Sequence, residues 1–315
     1  MTEETNQLSR RSFISRTAVA SAGAALAMGP QAANPARAAT PQPQDAIPKG
    51  KIGNMEVSRL ILGGNLLEHY THSRDLKYVY QLAKHYNTEE KVVETLKLAE
   101  SLGINTMSGS INPTSTDVLR KYREKQGGKI QWIICPYAPI EDGLAKFNAE
   151  VEKLMDWGCD AVYIWGVRGD QLAHAGRVDL IGKAVEAVKA YGVPCGVAGH
   201  KLKVVVECEK QKVPADFYIK TLHHHDYPSA KLNHDSMWCE KPDELIEFMQ
   251  GVEKPWISFK VMAAGAIPPE SAFPFVFNGG ADFTLAGMFD FEITHDVKVA
   301  KNAVAKAQRK RPWRA

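Results

Sequence analysis

Eight short apolar runs, most of them followed by a helical pattern, constrain this chain more than any other feature. They cover Leu60 to Gly64, Ile104 to Ser108, Gln131 to Cys135, Ala161 to Trp165, Cys195 to Ala198, Phe217 to Leu222, Trp256 to Met262 and Phe283 to Ala286. They are bounded by Gly, Pro or Asp, as strands buried on both faces are. Glu89 to Leu102 reads as a helix with Thr88 as N-cap and Gly103 as C-cap. Gly143 to Trp157, Val178 to Tyr191, Pro242 to Met249, Pro269 to Phe277 and Ile293 to Ala307 read as further helices. Two of these open on a proline, which suits a first turn. Strand and helix alternating in this way predict an α/β protein of the (β/α)8 TIM-barrel class. A doubly wound open sheet is the alternative, but no GxGxxG follows the first run. Gly53-Asn54, between two short polar-apolar runs, adds a hairpin before the barrel.

The chain has 315 residues, and its start reads as removable. Ser9-Arg10-Arg11-Ser12-Phe13-Ile14 is a twin-arginine pattern, an Ala-rich run follows from Thr17 to Met28, and Ala36-Arg37-Ala38 gives a small-residue cleavage site. These features predict an export signal over residues 1–38, a Pro- and Gln-rich linker over 39–50 and one barrel domain over 51–315, located in the periplasm or outside the cell. The Ala-rich run is too short for a membrane span, and no later stretch is long enough. Without the signal's four arginines and two glutamates the net charge falls from +3 to +1. That balance argues against nucleic acid as a partner. The basic end, Arg309, Lys310, Arg311 and Arg314, reads as a solvated tail. Five cysteines, an odd number without CxxC, give neither a disulfide framework nor a zinc ribbon. An oxidising compartment would permit one bridge without choosing it.

Polar residues concentrate where the strand-like runs stop. From Pro194 to Asp226 one apolar run ends in His200, a short helix pattern follows, and a second run ends in His223, His224 and His225. Two connections are long, Asn65 to Asn87 and His223 to Lys241, and together they hold seven of the ten histidines. Long loops at the carboxyl ends of barrel strands are usually functional. Their aromatic and polar content suits a small polar ligand such as a sugar, with His69, His72, Arg74 and Tyr227 as contacts beside Tyr137, Trp165 and Arg168.

Three chemistries are open to these residues. His223 and His225, two apart in an extended backbone, point the same way. With His200, and with Asp226, His69 or His72 completing the set, they would hold a divalent zinc, iron or manganese ion. Lys220 and Lys260 lie inside apolar runs, where a buried amine has a lowered pKa and can form a Schiff base. Cys135, at the end of the third run, is a nucleophile without a partner to name.

The hairpin with Val57 to Gly64 resembles the start of the aldo-keto reductases. Leu102 to Thr106, Asp160 to Ile164, Gly196 to His200 and Gly287-Met288 are similar to later parts of that family in the same order. The resemblance implies the barrel, a cofactor-phosphate end at Gly287 and Met288, and oxidoreductase as the default class on a small polar or sugar-like carbonyl substrate. The family's catalytic positions fall at Ser108, Pro113, Cys135 or Pro136, and Trp165 or Gly166, and none keeps the family residue. The general acid of carbonyl reduction is therefore absent from its usual place. Asp296 stands where the family has Asn, and its charge would repel a 2′-phosphate, which argues against NADP. A metal-assisted lyase, isomerase or hydrolase, or a barrel that binds a ligand without catalysis, are the alternatives.

Overall fold

A computed structural model describes residues 46–141, 143–231 and 235–315. The expected signal over 1–38, most of the expected linker and His234 lie outside the described residues. No helix among the described residues is long and apolar enough to cross a membrane.

The chain opens with the antiparallel hairpin β1 (Lys49–Ile52) and β2 (Met55–Ser58), which turns through Gly53 at a positive φ of 58°. Eight parallel strands then close a barrel: β3 (Leu60–Gly63), β4 (Thr106–Ser110), β5 (Gln131–Cys135), β6 (Ala161–Ile164), β7 (Cys195–Gly199), β8 (Phe217–Thr221), β9 (Trp256–Phe259) and β10 (Phe283–Ala286). Sequence neighbours pair in register around the ring, and β10 closes it on β3. The eight predicted strands are all present. The ninth strand stops at Phe259 rather than Met262, because Lys260 takes a left-handed φ of 60° and turns the chain away.

Alternation along the strands builds two cores. Ile61, Ile133, Ala161, Ala198, Phe217, Ile219, Ile257 and Phe283 fill the lumen, and Ile52, Met55 and Val57 of the hairpin plug it from the amino-terminal end. Their neighbours Leu60, Leu62, Ile134, Val162, Val197, Tyr218 and Trp256 face outward into the helical layer. A Cβ at position 196 would lie 2.3 Å from the Phe217 ring, so glycine there is what admits the phenylalanine.

The helices are α1 (Lys77–Tyr86), α2 (Glu89–Ser101), α3 (Pro113–Gln126), α4 (Ala145–Asp156), α5 (Gly166–His174), α6 (Val178–Lys189), α7 (Leu202–Lys210), α8 (Pro242–Met249), α9 (Pro269–Asn278) and α10 (Asp290–Ala305). Three of them lie outside the sequence expectation. α1 sits inside the first long connection; Val79, Leu82, Ala83 and Tyr86 fall at helical spacing, but the helix buries only Ala83 and its stretch reads as loop. The mostly polar α3 carries little apolar pattern, and α5 is a short element inserted directly after β6.

The basic end is not a solvated tail. Asp282, fully buried at the start of β10, accepts hydrogen bonds from Arg311 Nη1 at 2.6 Å, Arg309 Nη2 at 3.2 Å, Trp256 N at 2.9 Å and Arg314 N at 2.9 Å. Arg59 and Arg309 both stack on Trp313. A carboxylate out of water needs paired cations, and here the last residues supply them. All five cysteines are buried and unpaired, and burial pushes the thiols of Cys159 and Cys208 up to about 12.

Candidate functional site

The lumen is packed at its base and less tightly filled at its carboxyl-terminal end. Tyr163, Phe259 and Leu285 pack against the lumen core, yet they are only partly buried. Above them stand Trp165 and Tyr137, whose rings meet edge to face at 5.0 Å.

His200 follows β7 and is 7% exposed. Its ring lies 5.4 Å from that of Phe259. Asp170, on α5, holds it from behind. The carboxylate accepts from His200 N at 3.0 Å and Lys201 N at 2.9 Å, and faces His200 Nδ1 at 2.7 Å. The placement has a local cause. A Cβ at Gly169 would lie 2.3 Å from the carbonyl oxygen of Ala198, so only glycine lets α5 press this close to β7. The next residue is then Asp170. Burial pulls the His200 pKa down and Asp170 opposes it. A carboxylate only accepts, so Nδ1 carries the proton of the neutral ring, and Nε2 keeps its lone pair without a protein partner among the described residues.

Lys260 lies beside this pair. Its ammonium sits 5.5 Å from the Trp238 ring and 5.9 Å from that of Phe259, and donates to Ser236 Oγ. Burial pulls its pKa down to about 8, against the opposing charges of Asp235 and Asp170. His72 belongs to the same neighbourhood. Burial is the main cause lowering its pKa, Lys260 and His200 add to it, and Asp235, 3.7 Å from Nδ1, opposes it.

The two long connections are clasped together over the mouth. Ser73 N donates to Asp235 Oδ2 at 2.9 Å. Arg74, at a left-handed φ of 59°, donates to Ser229 O at 2.9 Å and Ala263 O at 3.2 Å, and lies over the rings of Tyr227 and Trp238. His69 Nε2 meets Asn87 O at 2.9 Å, which ties the first connection to itself.

Several expected roles do not fit these positions. His223, His225 and His200 do not make a metal site. Cys239 N–H donates to His223 Nε2 at 2.9 Å, and His223 Nδ1 faces His224 O at 3.0 Å, so the ring has no lone pair to give. His225 Nε2 meets Cys239 O at 2.6 Å, and Asp226 is exposed. His200 commits its Nδ1 to Asp170. Among the described residues no group of three His, Cys, Asp or Glu side chains could hold a metal ion. The His223 and His225 rings do lie together, 5.6 Å apart, but they lock the second connection to itself instead. Burial holds the His223 pKa down to about 4, so it is neutral.

Lys220 is a brace rather than a catalytic amine. It follows the lumen residue Ile219, so it faces the outer layer, and Nζ donates to His200 O at 2.7 Å, Thr221 Oγ1 at 2.9 Å and Thr221 O at 3.2 Å. Its pKa, pulled down to about 8 by burial, matches that of Lys260, but its donors are spent. Arg168 pairs with Glu141 at 2.5 Å. Cys135 is fully buried and burial drives its pKa far up, which removes the thiolate a nucleophile needs.

Gly287 and Met288 follow β10, and Met288 is fully buried. The first turn of α10 carries Asp290 and Glu292, and Glu292 accepts from Phe289 N at 2.9 Å. The end that would hold an anionic cofactor phosphate already holds the chain's own carboxylates, so these residues do not fit that group.

Asp170, Ser236, Tyr163 and the unpartnered Ser108 hydroxyl complete the mouth beyond what sequence reasoning named as its residues. Asp170 had one signal, the double glycine at 166 and 169, which marks a close approach but not its purpose.

No protein-family model matches the sequence, and no curated protein matches it. Solved structures do match. Two structures from Pseudomonas aeruginosa, each provisionally described as an aldo-keto reductase, superimpose with TM-scores of 0.58 and 0.59 at 18% and 19% identity, each over 83% of this chain and 98% of that one. Gox0644 superimposes with a TM-score of 0.56 as its apoform and 0.55 as a mutant bound to NADPH, both at 13% identity over 84% of this chain and 95% of that one. At such identities the likeness is one of fold. In fold, the chain is an aldo-keto reductase-like (β/α)8 barrel with an N-terminal β-hairpin.

Proposed function

We propose that this barrel is an enzyme that moves a proton beside the carbonyl group of a small polar, sugar-like substrate, in an isomerisation or an elimination. The observation that carries the reading is the Asp170–His200 pair next to Lys260 at the carboxyl-terminal end of the barrel. His200 Nε2 is a neutral base at neutral pH, and Asp170 stabilises the imidazolium formed when it takes a proton. Lys260, still mostly protonated at neutral pH, holds the carbonyl oxygen on which negative charge gathers. The proton leaves the carbon next to the carbonyl, resides on Nε2, and returns either to the neighbouring carbon or to a departing hydroxyl group. Trp165, Tyr137 and Trp238 supply aromatic walls that suit sugar faces.

Incubation of a panel of aldoses and ketoses with the protein in D2O, followed by proton NMR, tests this directly. Loss of the signal beside the carbonyl is expected with wild type, about a hundredfold slower with His200→Ala. Equal exchange by both, or no exchange of any sugar, sinks the reading.

A nucleotide-dependent oxidoreductase is the second reading, favoured by the likeness in fold to a barrel solved with NADPH. Its phosphates would have to bind away from the carboxylates of α10. NADPH fluorescence titration separates the two readings. Export by the twin-arginine route is part of the proposal as well, and a secreted chain beginning at Ala39 on amino-terminal sequencing is its test.

A further inference from the structure

The first long connection carries a helix that its own chain scarcely packs. α1 is ten residues long and buries only Ala83. That is shorter than the roughly 12 residues an isolated helix needs in water, so α1 depends on packing. Tyr78, Leu82 and Tyr86 lie on successive turns of one face and are 64%, 59% and 38% exposed. The stripe continues onto the start of α10. The Tyr86 ring meets those of Phe289 at 5.7 Å and Phe291 at 6.0 Å, and Phe291 is 68% exposed. Phe289 and Phe291 stack at 5.3 Å, and Tyr86 Oη donates to Asp290 Oδ1 at 2.7 Å, so the patch has a fixed shape.

Its size fits a protein partner. At about 200 Å2 for each large side chain, Tyr78, Leu82, Tyr86 and Phe291 leave roughly 450 Å2 of apolar surface uncovered. A standard interface covers about 800 Å2 of each partner, somewhat over half of it apolar. Charge then selects the occupant. α1 carries Lys77, Lys84 and His85 and no acid, with Asp75 preceding it in the connection. Beyond Tyr86 the patch is bordered by Glu90 and Glu94 of α2 and by Asp290 of α10. Lys91 offsets part of that group, pairing with Glu94 at 2.6 Å and Asp290 at 3.3 Å. An anionic lipid surface would meet these carboxylates, and a partner of one charge would satisfy only one half of the patch. A second copy of the chain carries both halves.

We propose that the Tyr78, Leu82, Tyr86 and Phe291 face is the interface of a two-fold homodimer. The copies are turned end for end about the stripe, so the basic helix of each meets the acidic border of the other and the apolar side chains cover one another. In such an isologous contact every interaction occurs twice. The partner supplies α1 with the packing its own barrel withholds. The connection that carries α1 also carries His72, so the interface braces the loop beside Lys260. The dimer needs no substrate, and it holds whether or not His200 moves a proton.

Sedimentation velocity of the full chain from about 1 to 100 µM tests this, with a monomer–dimer midpoint expected in the low micromolar range. Leu82→Glu and Phe291→Glu should each raise Kd about a hundredfold or more. Lys77→Glu, which keeps the apolar stripe, should raise it about fivefold. Leu82 and Phe291 are both more than half exposed and lie on different elements, so a local folding defect in one variant leaves the other to decide. Wild-type Tm should rise with protein concentration, and that of the two glutamate variants should not. A monomer at every concentration overturns the interface, as does a dimer that survives Leu82→Glu or Phe291→Glu. An unchanged Kd in Lys77→Glu overturns the end-for-end pairing. A monomer that sediments with phosphatidylglycerol vesicles, and fails to do so as Leu82→Glu, gives the face to a lipid surface and overturns the dimer as well.

Discussion

At its amino-terminal end the barrel surrounds one carboxylate with cations, and at its carboxyl-terminal end it leaves cations and hydroxyls short of partners. Asp282, fully buried, accepts from Arg309, Arg311 and two backbone amides. Lys260, by contrast, has a single hydroxyl partner among the described residues, and Trp238 Nε1 and Ser108 Oγ have none. Both ends bury charge. The fully paired carboxylate of Asp282 ties strands together, whereas Lys260 keeps donors for something that arrives later.

The comparison can be broken at either end. Asp282→Ala strips the lower cluster of its anion and strands Arg311, and it should lower stability by roughly 3–5 kcal/mol in denaturant titrations. Activity per folded molecule should hold. If the variant is as stable as wild type, the lower cluster is not structural.

Asp170→Asn should slow proton exchange by about a hundredfold, since it removes the charge that stabilises protonated His200. The pH profile sharpens this. Exchange needs neutral His200 and protonated Lys260, so the rate should fall at acid pH, below the ordinary histidine range, and again above about 8. Asp170 raises the His200 pKa, so the acid limb should move to lower pH in Asp170→Asn. An unmoved limb would assign it to another group.

Lys260→Met should lower the rate about tenfold and raise stability near pH 7. The sign follows from linkage. The folded pKa of Lys260, about 8, lies below that of an unfolded lysine, so the unfolded chain binds the extra proton between the two values. The burden on the folded state is full below pH 8 and lifts as pH rises towards 10.5. The gain in stability from Lys260→Met should therefore fade by pH 10, as read in thermal scans across that range. The smallest effect belongs to Arg168→Ala. Arg168 Nη1 pairs with Glu141 in a partly exposed ion pair, and its loss should change the exchange rate by less than about fivefold. A larger loss would return Arg168 to the substrate.

What could be read beforehand follows the range of the interaction concerned. Strands buried on both faces are apolar along their whole length, so all eight were visible. His200 stood out because a polar residue directly after such a run faces the mouth. Asp170 did not, because its role depends on a glycine letting one helix touch one strand. The His223–His225 group misled for the opposite reason. The rings are as close as spacing implied, but the backbone of Cys239 had already taken His223 Nε2. The basic end was misread because its partner, Asp282, is 27 residues earlier than Arg309.

The buried thiols carry one more implication. A thiol reacts as its thiolate, and here all five are hidden, with burial raising their pKa. The native chain is therefore inert to an alkylating reagent, and each opening of the barrel exposes five reactive sites where there were none. The cysteines make this protein a recorder of its own excursions, in which the rate of labelling counts how often the fold comes apart.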